Sequence, residues 1–198
     1  NVAGGAFSET GTVDLSKKGL VYAARVDVEK VQGDPLVSAF LPDASGTVFG
    51  MLDLHADLSG RGTLPDVMKR NLNAAGNLLL ADGKLTGAGL VKGLADFLDM
   101  DELRVLKFSR LAGDFTVRDG KIRFATDVSG GDARLAPNGT IGLDGALDVA
   151  LDLRLSPELS SKLDKKGKVS NYFKTDQVCR QIPLKLKGTA SSPRFTLD

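Results

Sequence analysis

Gly76-Asn77-Leu78-Leu79-Leu80-Ala81-Asp82-Gly83-Lys84-Leu85 is answered 37 residues later by Gly113-Asp114-Phe115-Thr116-Val117-Arg118-Asp119-Gly120-Lys121-Ile122. Both copies read Gly-x-apolar-x-apolar-x-Asp-Gly-Lys-apolar. Alternating apolar residues that run into Asp-Gly signal a β-hairpin, because a type I′ turn needs positive φ at both central residues. A third, shortened copy follows at Gly139-Thr140-Ile141-Gly142-Leu143-Asp144-Gly145. Between the first two copies, Leu90, Leu94, Phe97 and Leu98 fall at helical spacing and predict a helix over 90–100. The organising unit is hairpin, helix, hairpin.

Working outward, the chain repeats the strand theme. Gly11 to Leu15 leads through Ser16-Lys17-Lys18-Gly19 into Leu20, Tyr22, Ala24, Val26 and Val28, an alternation of period two. Val31 to Leu41 reads as a short helix ended by Pro42, and Gly46 to Leu58 as a strand. Pro65 to Arg70 reads as one or two helical turns. Ser129-Gly130-Gly131 and Ala136-Pro137-Asn138-Gly139 have turn composition. Leu147, Val149, Leu151, Leu153 and Leu155 make the strongest strand, and Ser156-Pro157-Glu158 starts a short helix. Lys162 to Lys168 reads as a loop, and two final strands lie around Pro183 and Phe195. The expected fold is mainly β (β-rich α+β): a long twisted antiparallel sheet of repeated Asp-Gly hairpins with a few short packed helices. No linker forces a boundary, so residues 1–198 are read as a single domain.

Composition narrows the function. A formal net charge of +1 argues against a nucleic-acid binder driven by bulk electrostatics, and no Trp with only 6% aromatics leaves few stacking platforms. The 23 glycines in 198 residues exceed the usual ~7% and suit a turn-rich β protein. The single cysteine, Cys179, excludes an internal disulfide. The chain opens at Asn1 without Met, has no signal peptide and no apolar run long enough to span a bilayer, and is read as a fragment of a longer protein.

Candidate chemistry is sparse. Asp53, His55 and Asp57 share one face of a strand, yet same-face neighbours stand ~6.6 Å apart and do not converge on one ion unaided. The solvated face of an amphipathic strand accounts for them. Gly87-Ala88-Gly89-Leu90-Val91-Lys92-Gly93 misses dinucleotide spacing and lacks a βαβ context. The run Lys162, Lys165, Lys166, Lys168 and Lys174 is interleaved with acids and reads as a solvated loop. Asn138-Gly139-Thr140 fits a glycosylation sequon of low specificity. The expectation is a protein with no catalytic residues, no cofactor and no metal.

The order of phrases supplies more. Ala44-Ser45-Gly46-Thr47-Val48-Phe49-Gly50 leads to Leu58-Ser59-Gly60-Arg61-Gly62, then to Leu72-Asn73-Ala74-Ala75-Gly76 and the first Asp-Gly. Phe108-Ser109-Arg110-Leu111-Ala112-Gly113 precedes the second, and the chain closes Ile182-Pro183-Leu184-Lys185-Leu186-Lys187-Gly188-Thr189-Ala190-Ser191-Ser192-Pro193. Over nearly its whole length this resembles the C-terminal region of the AsmA-like proteins of Gram-negative bacteria. The resemblance implies a periplasmic domain, anchored in the inner membrane by an N-terminal helix outside this sequence. It also implies a role in outer-membrane biogenesis, carrying phospholipid or another acyl-chain lipid along an apolar groove. A sheet with one apolar face must cover it with helices, fold over, or leave it half open as a groove. Leu52, Leu54, Leu78, Leu80, Phe115, Val117, Ile122, Phe124, Leu151 and Leu153 are therefore core-or-groove candidates. The alternative is a structural or assembly module that binds other envelope proteins through its sheet edges. A hydrolase or metal enzyme built on Asp53, His55 and Asp57 ranks last.

Overall fold

A computed structural model describes residues 4–16, 19–40, 45–87, 89–166, 181–189 and 192–198. Ten strands form one antiparallel sheet in strict chain order, each strand hydrogen-bonded to the next. They are β1 (Ala6–Asp14), β2 (Val21–Gln32), β3 (Val48–Arg61), β4 (Asn73–Leu85), β5 (Leu106–Arg118), β6 (Lys121–Ser129), β7 (Ala133–Gly142), β8 (Ala146–Leu155), β9 (Gln181–Thr189) and β10 (Ser192–Leu197). Helices occupy some of the connections: α1 (Gly33–Phe40), α2 (Pro65–Asn71), α3 (Leu90–Leu98) with a 3-10 turn at Asp101–Arg104, and α4 (Pro157–Lys166). The mainly β expectation holds, and among the described residues the sheet does not close.

The two matching phrases fold differently. At the second, Asp119 (φ +52°) and Gly120 (φ +70°) both take positive φ, Arg118 faces Lys121, and the chain turns as a two-residue hairpin. At the first, only Asp82 (φ +48°) is positive and β4 runs straight through. Met51 pairs with Ala81 and Phe49 with Lys84, so β4 has one extra residue there and makes a bulge. The expected hairpin at Asp82-Gly83 is thus corrected to a bulge in a central strand. Gly83 serves close packing instead, since a Cβ there would overlap the Phe49 carbonyl oxygen and lie 2.5 Å from the Phe108 ring. A Cβ on Gly120 meets open space. Gly120→Ala is therefore expected to destabilise by about 1 kcal/mol, the left-handed backbone penalty, and Gly83→Ala by about 3 kcal/mol through overpacking. Urea unfolding of the two variants checks the ranking.

The third copy is a hairpin with a three-residue loop, closed by the Gly145 N–H donating to the Gly142 carbonyl at 2.9 Å with Gly145 at φ +88°. Ala136-Pro137-Asn138-Gly139, expected as a turn, lies inside β7. Pro137 cannot donate to the ladder, and the Thr126 hydroxyl donates to its carbonyl at 3.3 Å. Gly139 (φ +150°) lets β8 approach, because a Cβ would overlap the Asp148 carbonyl.

The core lies where helices meet the C-terminal strands. Val91, Leu94, Ala95 and Leu98 of α3 are buried, so the apolar stripe is rotated one position from the expected one and Leu90 is exposed. Phe97 is half-buried against Phe195, ring centroids 6.2 Å apart. Gly93 explains the glycine-rich entry to α3: a Cβ there would sit 2.9 Å from the Phe195 ring, so α3 packs closely on β10. The expected loop from Lys162 is a helix through Lys166, because Leu159 and Leu163 form an i, i+4 pair buried in the same core. Ser156 caps α4, its hydroxyl accepting from the Leu159 N–H at 3.3 Å. Lys168, Lys174 and Cys179 lie outside the described residues.

Candidate functional site

The strand registers place all ten core-or-groove candidates on one face. Leu52 pairs with Leu80 and Leu54 with Leu78 across β3 and β4; Phe115 pairs with Phe124 and Val117 with Ile122 across β5 and β6. Gly76 lies opposite Phe115, and Gly139 links Phe124 to Val149, the strand neighbour of Leu151 and Leu153. Burial then divides them. Leu52, Leu80, Val117, Leu151 and Leu153 are buried, whereas Leu54, Leu78, Phe115, Ile122 and Phe124 are half-buried.

The division follows the helices. The main cluster joins α3, the 3-10 turn and α4 to β8, β9 and the Leu52–Leu80 end of β3 and β4, and the half-buried Leu54, Leu78 and Phe124 pack against its margin. Further along the same face toward the β5–β6 turn, the row Ala24, Leu58, Ala74, Val117 lies outside that cluster. Ala24, Leu58 and Ala74 are half-buried there, and at the edge Phe7 and Val13 of β1 are 44% and 59% exposed. The apolar face of β1–β6 is thus a strip that the helical core leaves half covered.

The opposite face is polar. The expected Asp53-His55-Asp57 trio is split by the registers. Asp53 accepts the Lys30 N–H at 2.8 Å, in the irregular stretch of the β2–β3 pairing. His55 instead stands opposite Asp27, its Nδ1 2.5 Å from Asp27 Oδ1, and its Nε2 is 3.7 Å from Asp57 Oδ2. Arg25 closes the chain, its Nε donating to Asp57 Oδ1 at 2.8 Å. The sequence signal for Asp27 and Arg25 was the alternation of β2, which puts both on the polar face. Among the described residues no group of His, Cys, Asp and Glu is placed to hold a metal ion.

The hydrogen bond from Arg25 holds the Asp57 carboxyl below its ordinary range, helped by the charges of Arg25 and His55. A depressed carboxylate pKa contributes stability above the unfolded value that fades as pH falls through the folded one. Arg25→Gln is therefore expected to move the Asp57 titration upward toward the ordinary 3.8, readable by carboxyl NMR, and to remove the share of the acid-side stability loss that Asp57 contributes.

Two cavities open on this side. One, about 1110 Å³, runs from β1 to β7 over the polar positions Arg25, Asp57, Thr116, Arg118, Arg123 and Thr140. The other, about 720 Å³, lies between α2 and the β5–β6 and β7–β8 turns, and both include Asp119, Lys121 and Thr140.

The molecule is a one-layer antiparallel meander, backed by helices over part of its apolar face, with its candidate surfaces spread over the sheet. The model of the AsmA family matches residues 1–126, and the chain belongs to that family. The match ends within β6, yet β7 to β10 continue the meander without a change of topology. No curated protein and no solved structure matches the chain. Membership carries a role in the bacterial envelope and outer-membrane biogenesis. Among the described residues no helix is long and apolar enough to cross a membrane.

Proposed function

We propose that this chain is a non-enzymatic, periplasmic part of an inner-membrane-anchored protein and holds phospholipid acyl chains on their way between the two membranes. The observation behind this reading is the half-covered apolar strip on β1–β6, continuous in register with a closed core at its other end. Each methylene that leaves water on such a strip contributes ~0.8 kcal/mol, so a few suffice for a useful affinity. The strip is lined by Ala24, Leu58 and Ala74, with Leu78 where it meets the core. Native mass spectrometry of the detergent-free chain, followed by lipid extraction, tests it. Bound phospholipid at a defined stoichiometry is expected, and a lipid-free mass under conditions that keep the fold would count against it.

The open edges support a second reading, an assembly module. Among the described residues β1 has a strand neighbour on one side only, and both of its faces are largely exposed. Such an edge can accept a strand from another envelope protein.

A further inference from the structure

Five side chains in the 1110 Å³ cavity form one block in register. Arg118 of β5 stands opposite Lys121 of β6, and Thr116 opposite Arg123. Arg123 in turn faces Thr140 of β7. Opposed residues in a sheet lie ~5 Å apart and same-face neighbours along a strand ~6.6 Å, so three cations and two hydroxyls share one small area. Arg118 and Lys121 are like charges placed directly opposite, an arrangement that destabilises a sheet unless a counter-charge sits between them.

Against these three cations the cavity lining sets two carboxylates, Asp57 and Asp119. Among the described residues, Arg118, Lys121 and Arg123 form no ion pair. Some other surface cations are engaged: Lys92 with Asp96 at 2.7 Å, Arg104 with Asp96 and Asp101 at 2.9 and 2.8 Å, and Lys162 with Glu102 at 3.2 Å. Of the two lining carboxylates, Asp57 is held by Arg25, which leaves the Asp119 carboxylate, in the turn between Arg118 and Lys121, as a single negative charge against three cations.

We propose that this block binds a phosphate-class anion. Guanidinium groups of Arg118 and Arg123 donate to its oxygens in pairs, Lys121 adds a point charge, and Thr116 and Thr140 donate from the flanks. The anion is a free phosphate or the phosphate of a lipid headgroup. The site lies on the face opposite the apolar strip and stands or falls separately from acyl-chain binding.

Thermal unfolding of the whole chain, with chloride replaced by inorganic phosphate at constant ionic strength, tests it. A saturable rise of about 3 °C in Tm is expected. The double variant R118Q/R123Q, exposed on both strands, is expected to melt at or above the wild type in chloride and to lose the phosphate response. Arg134→Gln is the control, because Arg134 also faces a like charge, Arg154, but lines neither cavity. It keeps the response. No saturable rise, or a rise undiminished in R118Q/R123Q, overturns the proposal for free phosphate. Cosedimentation with phosphatidylcholine vesicles containing phosphatidylglycerol distinguishes the sources. Binding lost in R118Q/R123Q assigns the site to a lipid headgroup even when free phosphate has no effect. Failure of both arms overturns the site altogether.

Discussion

Leu153→Ala is expected to lose about 3–5 kcal/mol of stability, lowering Tm by roughly 6–20 °C for a chain of this size. Leu153 is 0% exposed toward the C-terminal end of β8, between Leu135 of β7 and Ile182 of β9, both buried. Deleting its side chain leaves a cavity among neighbours fixed on two strands, with little room to collapse. Leu54→Ala, on the same face but half-buried, is expected to lose only about 1–2 kcal/mol, because part of that surface already meets water. Urea unfolding midpoints compare the pair. Equal losses would contradict the division of the apolar face into a closed core and a half-covered strip.

The second large effect concerns lipid rather than stability. Ala74→Trp places an indole between Leu58 of β3 and Val117 of β5, in the half-covered row. The ring fills space where an acyl chain is proposed to lie. Displacing two methylenes from the strip forfeits about 1.6 kcal/mol, so lipid occupancy is expected to fall about tenfold or more. Tm is expected to change little, because Ala74 is half-buried and the ring adds apolar contact to its neighbours. Native mass spectrometry reads occupancy and circular dichroism reads Tm on the same preparation. Undiminished lipid in a well-folded Ala74→Trp would place the lipid elsewhere.

Much of the architecture was legible because alternation is a local signal. Leu147 to Leu155 alternate without interruption, and β8 is the strand they predict. The errors have a common cause: the same residues serve different backbones depending on their neighbours. Asp82-Gly83 and Asp119-Gly120 are identical dipeptides, but β4 is flanked by strands that continue past Gly83, and their pairing turns a hairpin signal into a bulge. Pro137 and Gly139 have turn composition, yet the packing of β6 and β8 on either side holds them in a strand. The rotated stripe of α3 depends on where β10 lies, which sequence spacing does not encode.

The candidate surfaces were legible to different degrees. That ten apolar residues share a face followed from period two. Which of them are closed over depends on the placement of α3 and α4, a tertiary fact. The partners of His55 were hidden for a related reason, since Asp27 comes from the adjacent strand, 28 residues away, and only the register brings it opposite.

The most direct test of the central claim is to place a photoreactive amino acid at single positions and identify the lipid it captures in native membrane extract. Positions Leu78 and Phe124 sample the half-covered apolar strip where it meets the core, Leu153 the closed core, and Ala75 the polar face. Phospholipid adducts through the acyl chains at 78 and 124, and none at 153 or 75, are the result this account predicts. Acyl-chain adducts from 75, or none from 78 and 124 in a folded protein, would contradict it.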